Sequence, residues 1–426
     1  MITSPDATAE DSQRSAVETP AVGESQPWSY PAQQGLPVRP PSPSLGTSVL
    51  PPLGESSLPS LRGLTLSPPS AAAPRTAPFQ WGKLALHPHV SYSLVYGTGI
   101  LSGPNREEAT VLQTLSPGLT FNFGPRWSVD YTPSLQFYSN DAYEDTLDHS
   151  VRLSGSAQSP GWLFTLGYGF SSSSSPLVET AEQTGQDTHA LSLGADHLLG
   201  ARTTLQLGLA QSLRFTESYT DSCSWSTTDW LDYEWDPRFA TAVGVSLAYD
   251  QLEPGTDMTS ERVLGRIRGQ AATKFGYSLA GGLEWRQFLD SEAPTKLSPT
   301  VEGTLDYQLF ETTSVSVFAS HDIGTSYYSD QFTETTNLGG GLRQRLLGKL
   351  YLSLSGGYSI QDYTSTLAAD TQQRGDDRAY FQSGLSAVLV KRLNASVFYR
   401  YSDNSSDQPG YSYHSNQIGL QLSVGL

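Results

Sequence analysis

The sequence predicts an all-β fold: a transmembrane antiparallel up-and-down β-barrel of about 18 strands, preceded by a disordered Pro/Ser-rich N-terminal arm. Three observations carry this. The chain ends on Tyr413 to Leu426, YHSNQIGLQLSVGL, where Ile418, Leu420, Leu422, Val424 and Leu426 alternate with Gly419, Gln421, Ser423 and Gly425. Successive side chains of a strand point to opposite faces, so this is one apolar face and one small, polar face. Segments of the same kind, about ten to fourteen residues long, recur from Lys83 onward, the length a tilted strand needs to cross a bilayer. Finally, only 37% of the residues are hydrophobic and mean hydropathy is −0.33, a balance suited to a chain in which every second residue faces water.

The last strand would leave an open apolar edge, and open edges invite aggregation. Pairing it with the first strand of the series removes the edge, which is why a closed barrel is preferred to a soluble sandwich or propeller with shorter strands. No run approaches the roughly 18 apolar residues of a spanning helix. A net charge of −17 speaks against nucleic acid as a partner, because its phosphates would be repelled. Cys223 is the single cysteine, which excludes an intrachain disulfide and thiol-metal sites.

Two segments are predicted. Residues 1–82 are rich in Pro, Ser and Ala (VRPPSPSLGTSVLPPLGESSLPSLRG) and show no sustained period, so they bury too little apolar area to offset ordering and read as a disordered periplasmic arm. Their first twenty residues have neither a basic start nor an apolar core. Export across an inner membrane needs such a signal, so a different start or a longer precursor is expected, with a chain that stays inside the cell as the alternative.

Residues 83–426 form the predicted barrel. Leu119, Phe121 and Phe123 alternate with Thr120 and Asn122, Gly124-Pro125-Arg126 turns the chain, and Trp127, Val129, Tyr131, Leu135 and Phe137 alternate with polar residues on the way back. Short turns recur at Ser159-Pro160-Gly161, Leu199-Gly200-Ala201, Lys274-Phe275-Gly276, Phe310-Glu311-Thr312, Leu347-Gly348-Lys349 and Lys391-Arg392-Leu393. Longer polar connections lie between them, at 140–148, 171–186, 253–261 and 368–377. Short turns on the periplasmic rim and long loops outside is the arrangement of outer-membrane barrels.

An up strand must be followed by a down strand, and Arg202 to Phe215 and Phe239 to Tyr249 would otherwise both climb. The conflict disappears if WSTTDWLDYEWD (225–236) is itself a strand with Asp236-Pro237-Arg238 as its turn. Strands are then predicted to start near 84, 109, 127, 146, 161, 185, 202, 225, 238, 261, 276, 297, 312, 334, 350, 377, 394 and 413, with both termini periplasmic. Trp and Tyr cluster toward strand ends, where interfacial girdles sit.

The inward positions carry both signs: Asp130, Arg152, Asp196, Arg214, Arg266, Arg268, Glu284, Arg286, Glu302, Asp306, Arg343, Arg345 and Arg400. The bland reading is ion pairs between neighbouring strands. The functional reading is that Arg266, Arg268, Arg343 and Arg345 form a cationic stripe for anionic solutes or polysaccharide, with Arg286, Arg400, Asp130, Glu302 and Asp306 as further lumen-lining candidates. No single loop is long enough to be a dedicated plug, so an aqueous lumen is expected.

No catalytic residue, cofactor or metal site is read. The histidines, His87, His89, His149, His189, His197, His321 and His414, sit in no nucleophile-elbow or zinc motif. His149-Ser150 and His414-Ser415 are sequence neighbours and therefore point to opposite faces of a strand. The loop carboxylates Asp141, Glu144, Asp145, Asp148, Asp370, Asp376 and Asp377 lack regularly spaced oxygen ligands and read as solvated charge.

The stretches LHPHVSYSLVYGTGI (86–100), LQTLSPGLTFNFGPRWSVDYTPSLQFY (112–138) and DHSVRLSGSA (148–157) resemble the outer-membrane β-barrel porins associated with exopolysaccharide or exosortase loci. The likeness covers Lys83 to Leu426 and departs at Gly97-Thr98-Gly99, where those proteins carry an acidic turn, and at Leu426, where barrel-assembly signals usually end in an aromatic. It implies a bacterial outer-membrane channel for exopolysaccharide export or passive solute diffusion. The partners it implies are outer-membrane lipid, the barrel-assembly machinery, and polysaccharide or periplasmic secretion components. A structural or adhesive barrel with a closed lumen is the alternative, and a surface hydrolase would require a His-carboxylate cluster at the loop rim.

Overall fold

The computed structural model describes residues 79–98, 109–174, 177, 179–180, 182–271, 274–289, 291–367, 374–390 and 392–425. A short strand, β1 (Phe79–Trp81), leads into β2 (Leu84–Thr98), β3 (Ala109–Phe123), β4 (Trp127–Tyr138), β5 (Thr146–Ser159), β6 (Trp162–Ser173) and β7 (Gln186–Leu198). The chain continues through β8 (Thr203–Thr216), β9 (Asp221–Asp236), β10 (Phe239–Glu253), β11 (Met258–Ala271), β12 (Phe275–Phe288) and β13 (Lys296–Phe310). It ends with β14 (Thr313–Thr325), β15 (Gln331–Leu346), β16 (Leu350–Ser365), β17 (Arg374–Val390), β18 (Leu393–Ser406) and β19 (Tyr413–Gly425).

From β2 to β19 every strand pairs antiparallel with its sequence neighbours, and β19 returns to β2. Ile418 lies opposite Tyr96, Leu420 opposite Leu94, Leu422 opposite Tyr92 and Val424 opposite Val90, so the terminal strand closes an 18-stranded ring. Closure satisfies the backbone donors and acceptors that lipid could not. At the usual strand spacing and tilt such a ring is roughly 35 Å across.

The predicted starts hold within a few residues. Among the largest shifts are β9, which begins at Asp221 rather than 225, and β11, which like β15 and β17 begins three residues early, at Met258 rather than 261. In β9 and β11, polar residues that read as loop continue the ladder, with Leu252 opposite Ser222 and Asp250 opposite Met258. Residues 225–236 are indeed strand.

Beyond the prediction, β1 pairs along the first residues of β2, Phe79 opposite Leu86 and Trp81 opposite Leu84. β19 reaches β2 only as far as His89, so β1 covers the edge that β19 leaves. Its exposed Phe79 and Trp81 rings stack at 6.3 Å on the outside of the short-turn rim. The arm predicted over residues 1–82 otherwise lies outside the described residues, as does Leu426.

The alternation sorts the residues as a lipid-facing wall requires. On β10, Val243, Val245 and Leu247 point outward, Val243 being 65% exposed, while Ala240, Ala242 and Ser246 face in. Trp127, Leu207 and Leu209 are likewise exposed on the outside. Aromatic residues gather near the short turns, among them Trp162 stacked on Phe164 and Tyr233 edge-on to Trp235. On β9, Trp225 marks the opposite girdle. The separation from Trp225 to Tyr233 amounts to roughly 26 Å along the strand, or about 20 Å along the membrane normal at the usual tilt.

Two features interrupt or lock the ladder. Pro117 on β3 and Pro133 on β4 each lack an N–H, and the β3–β4 pairing opens between Leu115–Leu135 and Leu119–Tyr131. Elsewhere aromatic rings lie flat over glycines of the adjacent strand, Trp127 over Gly155, Trp230 over Gly244 and Phe398 over Gly419.

Gly282 allows the close approach of β11: a Cβ there would meet the Val263 carbonyl oxygen at 1.9 Å, a backbone atom that cannot turn aside. A Cβ at Gly276, on the same strand, would meet nothing within 4 Å. Gly282→Val is therefore expected to lower stability by roughly 1–3 kcal/mol while Gly276→Val is nearly neutral, as read from urea unfolding in lipid vesicles. Val245→Arg, in the middle of the apolar belt, is expected to cost about 2–4 kcal/mol in the same assay.

Candidate functional site

The inward face is built of small hydroxyl and amide side chains, because these occupy the alternate positions of nearly every strand. Several bond across strands: Ser116 to Ser134 at 2.7 Å, Ser128 to Ser154 at 2.7 Å and Thr228 to Ser246 at 3.0 Å. On β13, Glu302 and Asp306 face inward and are solvent-exposed, so that part of the lumen is open to water.

The charged lining is organised in local pairs. Arg266 Nη2 donates to Asp232 Oδ2 at 2.6 Å and to Gln206 Oε1 at 2.7 Å, and Arg268 Nη2 reaches the other oxygen of Asp232 at 3.2 Å. Arg266 also lies over the Trp230 ring, 4.3 Å from its centroid. Higher up, Arg262 Nε meets Glu284 Oε2 at 2.7 Å and Arg286 Nη2 meets Glu284 Oε1 at 2.8 Å. Arg286 is buried, with Asp250 at 3.6 Å and a hydrogen bond to the Ile323 carbonyl at 3.1 Å.

The stripe expected from Arg266, Arg268, Arg343 and Arg345 is therefore two separate pairs. β11 and β15 stand four strands apart. Arg343 lies over Tyr351 at 5.3 Å, and Arg345 is exposed near the short-turn rim. Arg400 donates to Gln417 at 3.5 Å. Asp130 accepts from Thr120 at 2.5 Å and Thr132 at 2.9 Å, with His89 at 3.9 Å. Charge that alternation places inward was legible; which carboxylate each arginine meets depends on register and reach across two strands.

The opposite rim departs further from expectation. Among the described residues no single connection there is a plug by itself, yet the described connections meet across the mouth. The β14–β15 connection, centred on Ser326–Asp330, is the meeting point. Arg214 Nη2 of β8 donates to the Ser326 carbonyl at 2.9 Å, and the Thr220 N–H of the β8–β9 connection donates to the Tyr327 carbonyl at 2.8 Å. The Tyr327 hydroxyl donates to Gln186 at 3.0 Å, and the Arg214 guanidinium lies 3.8 Å from the centre of its ring. Ser326 Oγ donates to Glu179 of the β6–β7 connection at 3.4 Å. Thr256 of the β10–β11 connection donates to Asp330 at 2.8 Å, and the Thr366 N–H, after β16, donates to the Asp330 carbonyl at 2.7 Å. Asp330 itself takes a left-handed φ of 61°.

Tyr328 packs with Tyr363 and Tyr219, its ring edge-on to Tyr219 at 5.3 Å. Arg374 lies over Tyr411 at 3.7 Å and Tyr363 at 4.6 Å and pairs with Asp376. Burial pushes the Tyr219 phenol up to about 12 and raises Tyr328 and Tyr411 as well, so these hydroxyls stay neutral. Below this layer Leu252, Met258, Phe288, Ile323 and Phe332 form a small apolar cluster at the base of the β14–β15 hairpin.

These mouth residues were missed because the long connections read as solvated. Asp376 is buried against Arg374 and Asp148 is buried, accepting from Gln136 at 2.5 Å, whereas Asp141, Glu144 and Asp145 are exposed as expected. Asp370 lies outside the described residues. The available signal was the recurrence of tyrosine in the connections, at 219, 327, 328 and 411. No group of three or more metal-ligating side chains occurs among the described residues.

Residues 268–425 match the family model described as "Putative beta-barrel porin 2". That segment runs from the end of β11 through the closing strand, so the resemblance read from the sequence is borne out there. With the closed ring and its apolar belt, the molecule is an outer-membrane β-barrel whose residues 268–425 are similar to that family. Among solved structures, the chain is similar to the outer membrane protein OpdK of Pseudomonas aeruginosa (12% identity, 80% of this chain and 98% of that one, TM-score 0.44). It is similar to OccAB3 of Acinetobacter baumannii (10%, 81% and 100%, TM-score 0.46) and to a bacterial polysaccharide outer membrane secretin (9%, 80% and 97%, TM-score 0.36). No curated protein matches the chain.

Asp232 is the shared counter-charge of Arg266 and Arg268. Asp232→Asn is expected to shift the reversal potential of the inserted barrel toward anion selectivity in a salt gradient, and to lower stability by roughly 3 kcal/mol through the uncompensated arginines.

Proposed function

We propose that this barrel conducts polar, carbohydrate-like solutes, with exopolysaccharide export as its most specific use. The observation that carries the reading is the lining of β9 to β12, where Asp232 meets Arg266 and Arg268 and Glu284 meets Arg262 and Arg286, together with inward hydroxyls and amides that bond across strands. Such a wall offers hydrogen bonds to sugar hydroxyls without holding an ion of either sign tightly. Arg343, Arg345, Arg400, Arg286, Asp130, Glu302 and Asp306 are proposed as the further lining residues. The likeness to porins of exopolysaccharide loci supports the same solute class.

In this reading the barrel-assembly machinery inserts the chain, and the part of the arm that precedes β1 serves the periplasmic side, because β1 joins the wall at the short-turn rim. Periplasmic secretion components are the proposed partners of that arm. A second reading, a structural or adhesive barrel, is favoured by the joined mouth alone.

Conductance of the purified full chain in planar bilayers, together with swelling of proteoliposomes in neutral oligosaccharides, separates the two. The channel reading expects discrete conductance steps and swelling rates that fall with oligosaccharide size. An absence of both, with the barrel shown to be inserted, supports the structural reading.

A further inference from the structure

We propose that the extracellular mouth is a gate whose moving part is the β14–β15 connection, Ser326–Asp330. The inference rests on the channel reading above. The connection is joined to four others that start from well-separated strands. Thr220 and Arg214 hold it from β8 and β9, Glu179 and Gln186 from β6 and β7, Thr256 from between β10 and β11, and Thr366 from the end of β16. Solute leaving the lumen along the barrel axis meets this junction.

Two contrasts mark it as a lid rather than a fixed cap. The first is chemical. The base of the hairpin is anchored by apolar packing of Ile323 and Phe332 on Leu252, Met258 and Phe288. The tip is held by carbonyls, hydroxyls, a guanidinium and phenol rings. Apolar contacts lose their stabilisation when wetted, whereas these polar partners can be replaced by water as the tip lifts. The second is topological. The tip bonds are isolated links between different loops, while below them each strand is held by a continuous ladder. Opening the junction therefore leaves the barrel wall intact, with the apolar base as hinge.

Arg214 makes the link most dependent on closure. Its guanidinium donates to the Ser326 carbonyl and covers the Tyr327 ring, so it touches both the backbone and a side chain of the tip. Arg374, between Tyr411 and Tyr363 and paired with Asp376, builds the surface on which Tyr328 rests.

The test is made in planar bilayers on full-length protein with Cys223→Ser as background. Thr256→Cys and Asp330→Cys are introduced together, and a short bis-methanethiosulfonate crosslinker is added after insertion, so that folding precedes the lock. Crosslinking is expected to lower open conductance at least ten-fold, and dithiothreitol to restore it. In parallel, Arg214→Ala combined with Tyr327→Ala is expected to raise the open fraction several-fold. Equal conductance before and after complete crosslinking would overturn the gate while leaving the channel standing. If neither the background protein nor the Arg214→Ala/Tyr327→Ala variant conducts when inserted, the channel reading fails and the gate falls with it.

Discussion

The structure depends on one constraint: within hydrocarbon every backbone N–H and C=O must find its partner inside the protein. The pairing of β19 with β2 meets it by removing the last free edge, and much else follows from that closure. The strand number is even, both ends of the described barrel lie on the short-turn rim, and apolar side chains face out at alternate positions. Proline is tolerated where the cost is local. Pro117 and Pro133 occupy the same short opening between β3 and β4, with the ladder resuming on either side.

Closure also creates an interior in which charge must be managed. The chain carries a net −17, yet the described lumen wall brings arginine to carboxylate at short range. Asp232 serves two arginines from β11, and Glu284 serves Arg262 and Arg286. Exposed acidic groups such as Asp141, Glu144 and Glu217 sit on the long connections instead. Where the wall is neutralised in this way, hydroxyls and amides are its main polar groups, and the proposed solute class rests on them.

The two ends of the barrel use different chemistry. At the short-turn rim, tight turns and stacked aromatics such as Trp162 with Phe164 suit a membrane interface. At the opposite rim, connections individually too short to fill the lumen join through shared partners. Asp330 accepts from Thr256 through its side chain and from Thr366 through its carbonyl, tying three connections at one residue. Tyrosine suits this place because its ring packs while its hydroxyl still finds water or a partner.

What the sequence by itself determined is the wall. The alternation of Leu205, Leu207 and Leu209 with polar neighbours, the turn at Gly124-Pro125-Arg126 and the need for a strand at 225–236 follow from local periodicity, which each segment carries in its own residues. The match of residues 268–425 to a porin family model covers the later part of the wall, from the end of β11 to β19. Only the tertiary structure decided the rest. That Arg266 and Arg268 share Asp232, that Asp376 is buried under Arg374, and that Ser326 meets Arg214 depend on register, tilt and the convergence of loops more than a hundred residues apart. Alternation tells a residue which face it takes; its partner is set by the curvature of the closed sheet, which no local stretch of sequence contains.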